Sequence, residues 1–425
     1  MTRRQKLTSW ARLFAEYAGA QGAVQLLAIV AGLWLVHLLP VRDYALYTLA
    51  LSLLTFLGVF SDLGISGALA YFRRETRIRQ EPFEPYVLAA LRLRRILLLA
   101  GAVAGGAFVA WAGTSRGFGP AELCLIGAIL FASVWLQIDA AVRLLLMRFE
   151  GEFRASYRAE VAGNACRALG VAAMWAASST SAAAALATNA LSSFVVRALT
   201  ATSAKRPGDD AGHARAHAAS LVRFVLPTAL SAAYFSIQGP LTVWLAAYFG
   251  ATRSIAEVGA LGRLGVIFSV VSGFIGTVLI PRLAVVTDDR HYLRRVLQCW
   301  AVLLAFGGSV VAAAMLFPTA FLFLIGGTYA GLERGVELVA AAAVLANIGG
   351  FLVAINMARG WVASQPLVLL VFAAVQVALI AHLDLSTTIG ILYFGLYSNL
   401  TGMALQMAIS ARGFLGANAS RKASS

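Results

Sequence analysis

The chain has 425 residues, 60% of them hydrophobic and only 12% charged, with a mean hydropathy of +0.80. Soluble domains carry about 25% charged residues, so a string of soluble domains is excluded and a chain embedded largely in lipid is expected. The net charge of +15 does not indicate a nucleic-acid binder, because the basic residues are strung between apolar runs instead of gathered on one face.

Arg3, Arg4 and Lys6 precede the first apolar run, at 17–39. A secretory signal begins similarly, but Arg12 and Glu16 interrupt this one, the run is too long, and no small-x-small site follows before Pro40. A retained first span is expected. A span needs about 20 apolar residues to cross about 30 Å of hydrocarbon. Further runs of that kind fall at 44–70, 93–112, 120–146, 158–178, 182–203, 220–248, 256–284, 296–325, 336–358, 365–383 and 387–411. The sequence therefore predicts an all-α integral membrane protein with twelve transmembrane helices. Short connectors leave no room for a soluble domain.

Charge gives the orientation. With a cytoplasmic N-terminus, 28 of the 34 basic residues fall in inner segments and four in outer ones, Arg42, Arg116, Arg253 and Arg334, leaving Arg167 and Arg263 inside spans. This asymmetry matches the positive-inside rule for an even number of spans with both termini cytoplasmic. The polar stretch around Pro207, Gly208, Asp209 and Asp210 splits the spans six and six. The expected organisation is an N-terminal six-helix bundle over 1–203, a cytoplasmic linker over 204–219 and a C-terminal six-helix bundle over 220–425. Arg42-Asp43-Tyr44-Ala45 before the second span corresponds to Glu257-Val258-Gly259 near the start of the eighth, as a parallel internal repeat requires.

No enzyme is visible. The five histidines have no carboxylate or cysteine at catalytic spacing, the outer connectors are too short for a catalytic domain, and no phosphate-binding glycine loop exists. Cys124, Cys166 and Cys299 are an odd number without metal-ligand spacing, so neither a disulfide framework nor a metal site follows.

Ionisable residues inside spans are costly in hydrocarbon and therefore face a cavity or a partner. Arg167 lies about 13 Å into the fifth span and Arg263 about 10 Å below the outer end of the eighth, counting 1.5 Å per residue. These two are the candidates for a cationic cavity that receives an anionic group. Asp62, in the inner half of the second span, is a candidate counter-charge or coupling site, as is Asp139. Asp139 and Arg143 are also spaced for an ion pair along one helix. Arg73, Arg74, Arg92, Arg94 and Arg95 read as topology determinants that could attract anionic headgroups. In the seventh span, Pro227 and then Gly239-Pro240 interrupt the helix and form a candidate hinge.

His37-Leu38-Leu39-Pro40-Val41-Arg42-Asp43-Tyr44-Ala45-Leu46-Tyr47 resembles the R-x-L-G-P-x-E-Y-G-x-Y loop of polysaccharide flippases. Asp62-Leu63-Gly64-Ile65, followed by Ala68 and Arg73, resembles their D-L-G-L helix end. Val258-Gly259, then Arg263-Leu264 and Pro281-Arg282-Leu283, resembles V-G-x-Y-x-x-A-x-R-L with a closing L-x-P-x-L. The pattern is similar to that of Wzx-type flippases of the multidrug/oligosaccharidyl-lipid/polysaccharide (MOP) superfamily. It departs at His37, at Ala45, and near Gly239 and Pro240, where the family often carries an aspartate. The resemblance implies movement of an undecaprenyl-pyrophosphate-linked oligosaccharide from the inner to the outer leaflet of a bacterial cytoplasmic membrane, with Arg263 lining the cavity. It implies no cofactor, leaves coupling to a proton or sodium gradient open, and makes the lipid-linked glycan, the bilayer and other polysaccharide-assembly membrane proteins the partners to consider. A drug or cation antiporter of the same superfamily, a lipid II flippase and a membrane glycan polymerase are the competing readings.

Overall fold

The computed structural model describes residues 3–201, 211–265, 289–359, 361 and 364–424. These residues form helices joined by short connectors, with no strand among them. Among them, eight helices are long and apolar enough to cross a membrane, and the described part of each of the twelve apolar runs is mostly helix. Helix is the only open backbone arrangement that satisfies its own polar groups in lipid, which is why a multi-pass apolar chain takes it throughout. Packing divides the chain into two units, Met1–Tyr248 and Phe249–Ser425.

The first unit holds α1 (Arg3–Leu38), α2 (Val41–Phe60), α3 (Ile65–Arg79), α4 (Glu84–Thr114), α5 (Pro120–Phe149), α6 (Phe153–Ala176), α7 (Ala182–Ala201), α8 (Ala211–Gln238) and most of α9 (Leu241–Phe249). α2 packs on α4, α5 and α7 together, which buries Tyr44, Leu46, Tyr47, Leu49 and Ala50 completely. α5 and α6 both lie along α7, and α1 lies along α6. Small residues set the close approaches. A Cβ on Gly163 of α6 would stand 2.5 Å from Val196 Cγ2 and 3.1 Å from the Ser192 carbonyl oxygen of α7.

Three expected boundaries differ. The second span is broken, because Leu63 and Gly64 take positive φ of 38° and 91° and separate α2 from α3. The third begins at Glu84 rather than at 93, since Pro85 suits a first helical turn and the charged stretch continues the helix beyond the apolar run. In the seventh, Gly239 and Pro240 separate α8 from α9, and within α8 the segments His217–Leu226 and Ala229–Gln238 meet at 69° across the position of Pro227. Of the polar stretch 204–219, residues 204–210 lie outside the described residues and 211–219 form the start of α8. By packing, the first unit runs on to Tyr248, because α8 lies against α4 and α2.

The second unit holds α10 (Thr252–Gly265), α11 (Asp289–Leu316), α12 (Pro318–Ile325), a short 3-10 turn (Gly327–Tyr329), α13 (Glu333–Ala358), α14 (Gln365–His382) and α15 (Thr388–Ser424). α13 runs along α15, while α11 and α14 flank the pair. Tyr292, Val296, Ile348, Phe351, Leu352 and Ile355 form the apolar contact between α11 and α13. Polar glue joins α13 to α15: buried Asn356 donates to Gln406 Oε1 at 3.1 Å and accepts from Ser410 Oγ at 2.7 Å.

Each unit contains a comparable internal contact. Asp43, in the first turn of α2, accepts from the backbone N–H of Ala182, the first residue of α7, at 3.2 Å. Glu257 of α10 accepts from the hydroxyl of Thr388, the first residue of α15, at 2.5 Å. In each unit a carboxylate near the start of one helix holds the positive end of the unit's last long span or its counterpart in the repeat. This is the same correspondence, Asp43 with Glu257, that the sequence repeat predicts.

Replacing Gly163 with Val should overpack the α6–α7 contact and cost about 1–3 kcal/mol. Thermal unfolding in detergent checks this. Gly106→Ala, where a Cβ meets nothing within 4 Å, should leave the midpoint unchanged or slightly raised.

Candidate anion-binding site

Arg167 sits nine residues from the end of α6, about 13 Å along the helix axis. Its Nη2 donates to the phenol oxygen of fully buried Tyr47 on α2 at 3.3 Å. Its Nε is buried with no hydrogen-bond partner, and no carboxylate pairs with it among the described residues. A guanidinium held by one neutral hydroxyl keeps both its charge and donor capacity for something else.

A second group of arginines gathers on Asp139 of α5, which is 6% exposed. Its Oδ2 accepts from Arg197 Nε of α7 at 2.7 Å and from Arg143 Nε, one turn on along α5, at 3.3 Å. Arg95 of α4 brings a third guanidinium to 3.9 Å of Oδ1, and its Cζ lies 4.6 Å from the centroid of the Trp135 ring. One carboxylate thus faces three cations from three helices, leaving a local surplus of two positive charges.

Asp62 stands in the turn between α2 and α3. Its Oδ1 accepts from Ser66 Oγ at 2.6 Å and faces Arg94 Nη1 of α4 at 3.4 Å. Arg94 is 5% exposed, while the Asp62 side chain keeps 26% of its surface open. Farther along α5, Arg148 Nη2 donates to both carboxylate oxygens of Glu160 on α6 at 2.9 Å.

In the second unit Arg263 occupies the last turn of α10, half-buried and engaged by neighbouring groups. The closing motif Pro281-Arg282-Leu283 lies outside the described residues. Glu257 also accepts from Arg253 Nε at 2.8 Å. Gly239 and Pro240 lie in the turn between α8 and α9, where the Pro240 carbonyl accepts from the backbone N–H of Trp244 at 3.0 Å. The Trp244 indole N–H in turn donates to Ser52 Oγ of α2 at 2.9 Å. No group of three or more potential metal ligands occurs among the described residues.

Two connector residues have shifted acidities. Burial lowers the Arg116 guanidinium from its ordinary value, while Ser386, through its hydroxyl and backbone N–H, holds the Asp384 carboxyl below the usual carboxylate range.

The structure brings Asp139 to Arg143, at the spacing the sequence gives, and Asp62 to an arginine that sequence reasoning assigned to topology. Arg94 and Arg95 were the residues missed as partners. Their signal was Glu84-Pro85, a helix start two to three turns earlier, which carries both arginines from a connector into the packed body of α4.

Helical topology and hydropathy define a multi-pass membrane protein. The fold is similar to an inward-facing multidrug resistance MATE-family transporter of the MOP superfamily, with TM-score 0.66 and 20% identity, over 91% of this chain and 95% of that one. It is also similar to the lipid II flippase MurJ in an inward closed conformation, with TM-score 0.69 and 12% identity, over 93% and 88% of the two chains. A third similar structure is a MOP superfamily transporter from Pyrococcus furiosus described as having a binding pocket of reversed polarity, with TM-score 0.56 and 18% identity, over 94% and 95%. No curated protein sequence matches the chain. The chain belongs to the polysaccharide biosynthesis protein family, whose pattern matches residues 34–329.

Removing the shared carboxylate should strand three guanidiniums. Asp139→Ala is expected to cost about 3–5 kcal/mol, as for other broken buried pairs. The double variant Asp139→Ala/Arg197→Leu should recover part of that loss, measured as the unfolding midpoint of each purified variant.

Proposed function

We propose that the protein is a Wzx-type flippase that carries an undecaprenyl-pyrophosphate-linked oligosaccharide from the inner to the outer leaflet of a bacterial cytoplasmic membrane. The carrying observation is Arg167: a guanidinium deep in a span, anchored by the Tyr47 hydroxyl, with a buried Nε that no described group satisfies. A charged sugar-pyrophosphate headgroup cannot cross hydrocarbon unaided, and a guanidinium offers its phosphates a charge-assisted, forked partner. The polyprenyl tail stays in the bilayer while the headgroup passes along the protein.

Family membership supports a role in polysaccharide assembly, and the flippase among the similar folds supports a lipid-linked cargo. In this reading Arg263 also meets the headgroup, both termini are cytoplasmic, and Gly239-Pro240 gives the joint about which access alternates. Asp62 and Asp139 serve as counter-charges. An antiporter would need a carboxylate free to exchange its proton or cation, whereas Asp62 faces Arg94 and Asp139 faces three guanidiniums.

The test is complementation of a strain that lacks its own flippase, with surface glycan as the readout. The wild-type chain should restore glycan. Arg167→Gln and Arg263→Gln should each lower it by about tenfold or more at equal membrane abundance, as loss of a charge-assisted contact implies. Full glycan from both variants overturns the cationic-cavity reading, and drug resistance without glycan favours the antiporter.

A further inference from the structure

We propose that Arg95, Arg143 and Arg197, converging on Asp139, form a docking site for the pyrophosphate of the lipid-linked substrate near the inner leaflet, separate from Arg167. The inference rests on the flippase reading and adds an entry station to it.

The geometry is that of an occupied back and an open front. Asp139 has a side chain 9% exposed, whereas those of Arg95, Arg143 and Arg197 keep 37%, 19% and 45%. Arg143 and Arg197 both engage the carboxylate through Nε. That choice leaves the two Nη atoms of each guanidinium for another acceptor, in the planar fork that matches phosphate oxygens. The third guanidinium lies over the Trp135 ring, with its Cζ 4.6 Å from the centroid. Asp139 therefore acts as a positioning residue, holding side chains from α4, α5 and α7 at a spacing that their mutual repulsion would otherwise widen.

Charge selects the ligand. Three cations and one anion leave a surplus of two. A pyrophosphate diester carries two negative charges, whereas the phosphodiester of an ordinary anionic phospholipid carries one. The neighbouring Asp62–Arg94 pair is neutral and adds nothing to the surplus. Depth agrees with the assignment: Arg143 is six residues, about 9 Å, from the end of α5, and Arg197 four residues, about 6 Å, from the end of α7, with Asp139 one turn deeper. With cytoplasmic termini these positions lie at the inner margin of the hydrocarbon, where a headgroup arrives with its tail still among the lipids. Exposed guanidiniums at that depth need an anion or water beside them.

The experiment uses the full chain in nanodiscs of phosphatidylcholine, which has no net charge, with undecaprenyl pyrophosphate as the probe. Undecaprenyl phosphate, inorganic pyrophosphate and phosphatidylglycerol are the competitors. Arg95→Gln and Arg197→Gln should each raise the probe's Kd by about tenfold or more, and exposed Arg77→Gln should leave it unchanged. Phosphatidylglycerol, with one charge, should compete poorly, whereas undecaprenyl phosphate and inorganic pyrophosphate, each with about two negative charges or more, should compete measurably. If Arg197→Gln fails to fold, Arg95→Gln decides, since its guanidinium is the most distant of the three from Asp139. A Kd within twofold of wild type in the folded variants overturns the site, as does displacement by phosphatidylglycerol as effective as by the probe itself. The flippase reading fails separately: a wild-type chain that does not restore surface glycan sinks that reading, whereas unchanged binding in variants of a complementing chain sinks only the docking site.

Discussion

The first unit is organised by one constraint, that a charge cannot be left alone among lipid tails. Asp139 meets it by drawing helices α4, α5 and α7 together through their arginines. The same constraint closes Asp62 onto Arg94 and Glu160 onto Arg148. Hydrophobic burial cannot do this work, since lipid is as apolar as the side chains and offers little reason for one greasy helix to prefer another. Polar ties and close approach at small residues such as Gly163 determine which helices are neighbours.

The arginines differ in what surrounds them, and that difference separates structural from available charge. Arg94 and Arg148 are matched one to one by carboxylates. Arg167 has only a phenol oxygen, and the Asp139 group has more cations than its single anion can balance. Availability thus follows from counting charges within each contact, and it appears at two depths of the first unit. A headgroup moving from one depth to the other would exchange one set of guanidiniums for another without a wholly uncompensated step.

Much of the fold was legible because lipid makes length and hydropathy decisive: the described part of each apolar run is mostly helix. The break at Leu63-Gly64 was harder to see, since both residues fit an apolar span and only the left-handed backbone reveals the turn. The site was legible where spacing is local, as for Asp139 and Arg143 on one helix. It was not legible where partners come from distant segments, as for Asp139 with Arg197, 58 residues on, or Asp62 with Arg94. Arginine clusters next to apolar runs satisfy the topology rule and bind carboxylates equally well, and one sequence does not separate those uses.

The Asp43–Ala182 and Glu257–Thr388 contacts also impose a schedule on biogenesis. Each joins residues far apart in the chain, 139 and 131 positions respectively. At a synthesis rate of about 5–20 residues per second, the earlier acid waits for about 7–28 s before its partner is made. During that interval the half-built bundle lacks its latch, and a carboxylate destined to hold a helix end is left to water, headgroups or a chaperoning insertase. Slowing or pausing translation between those points lengthens the vulnerable period without altering a single residue.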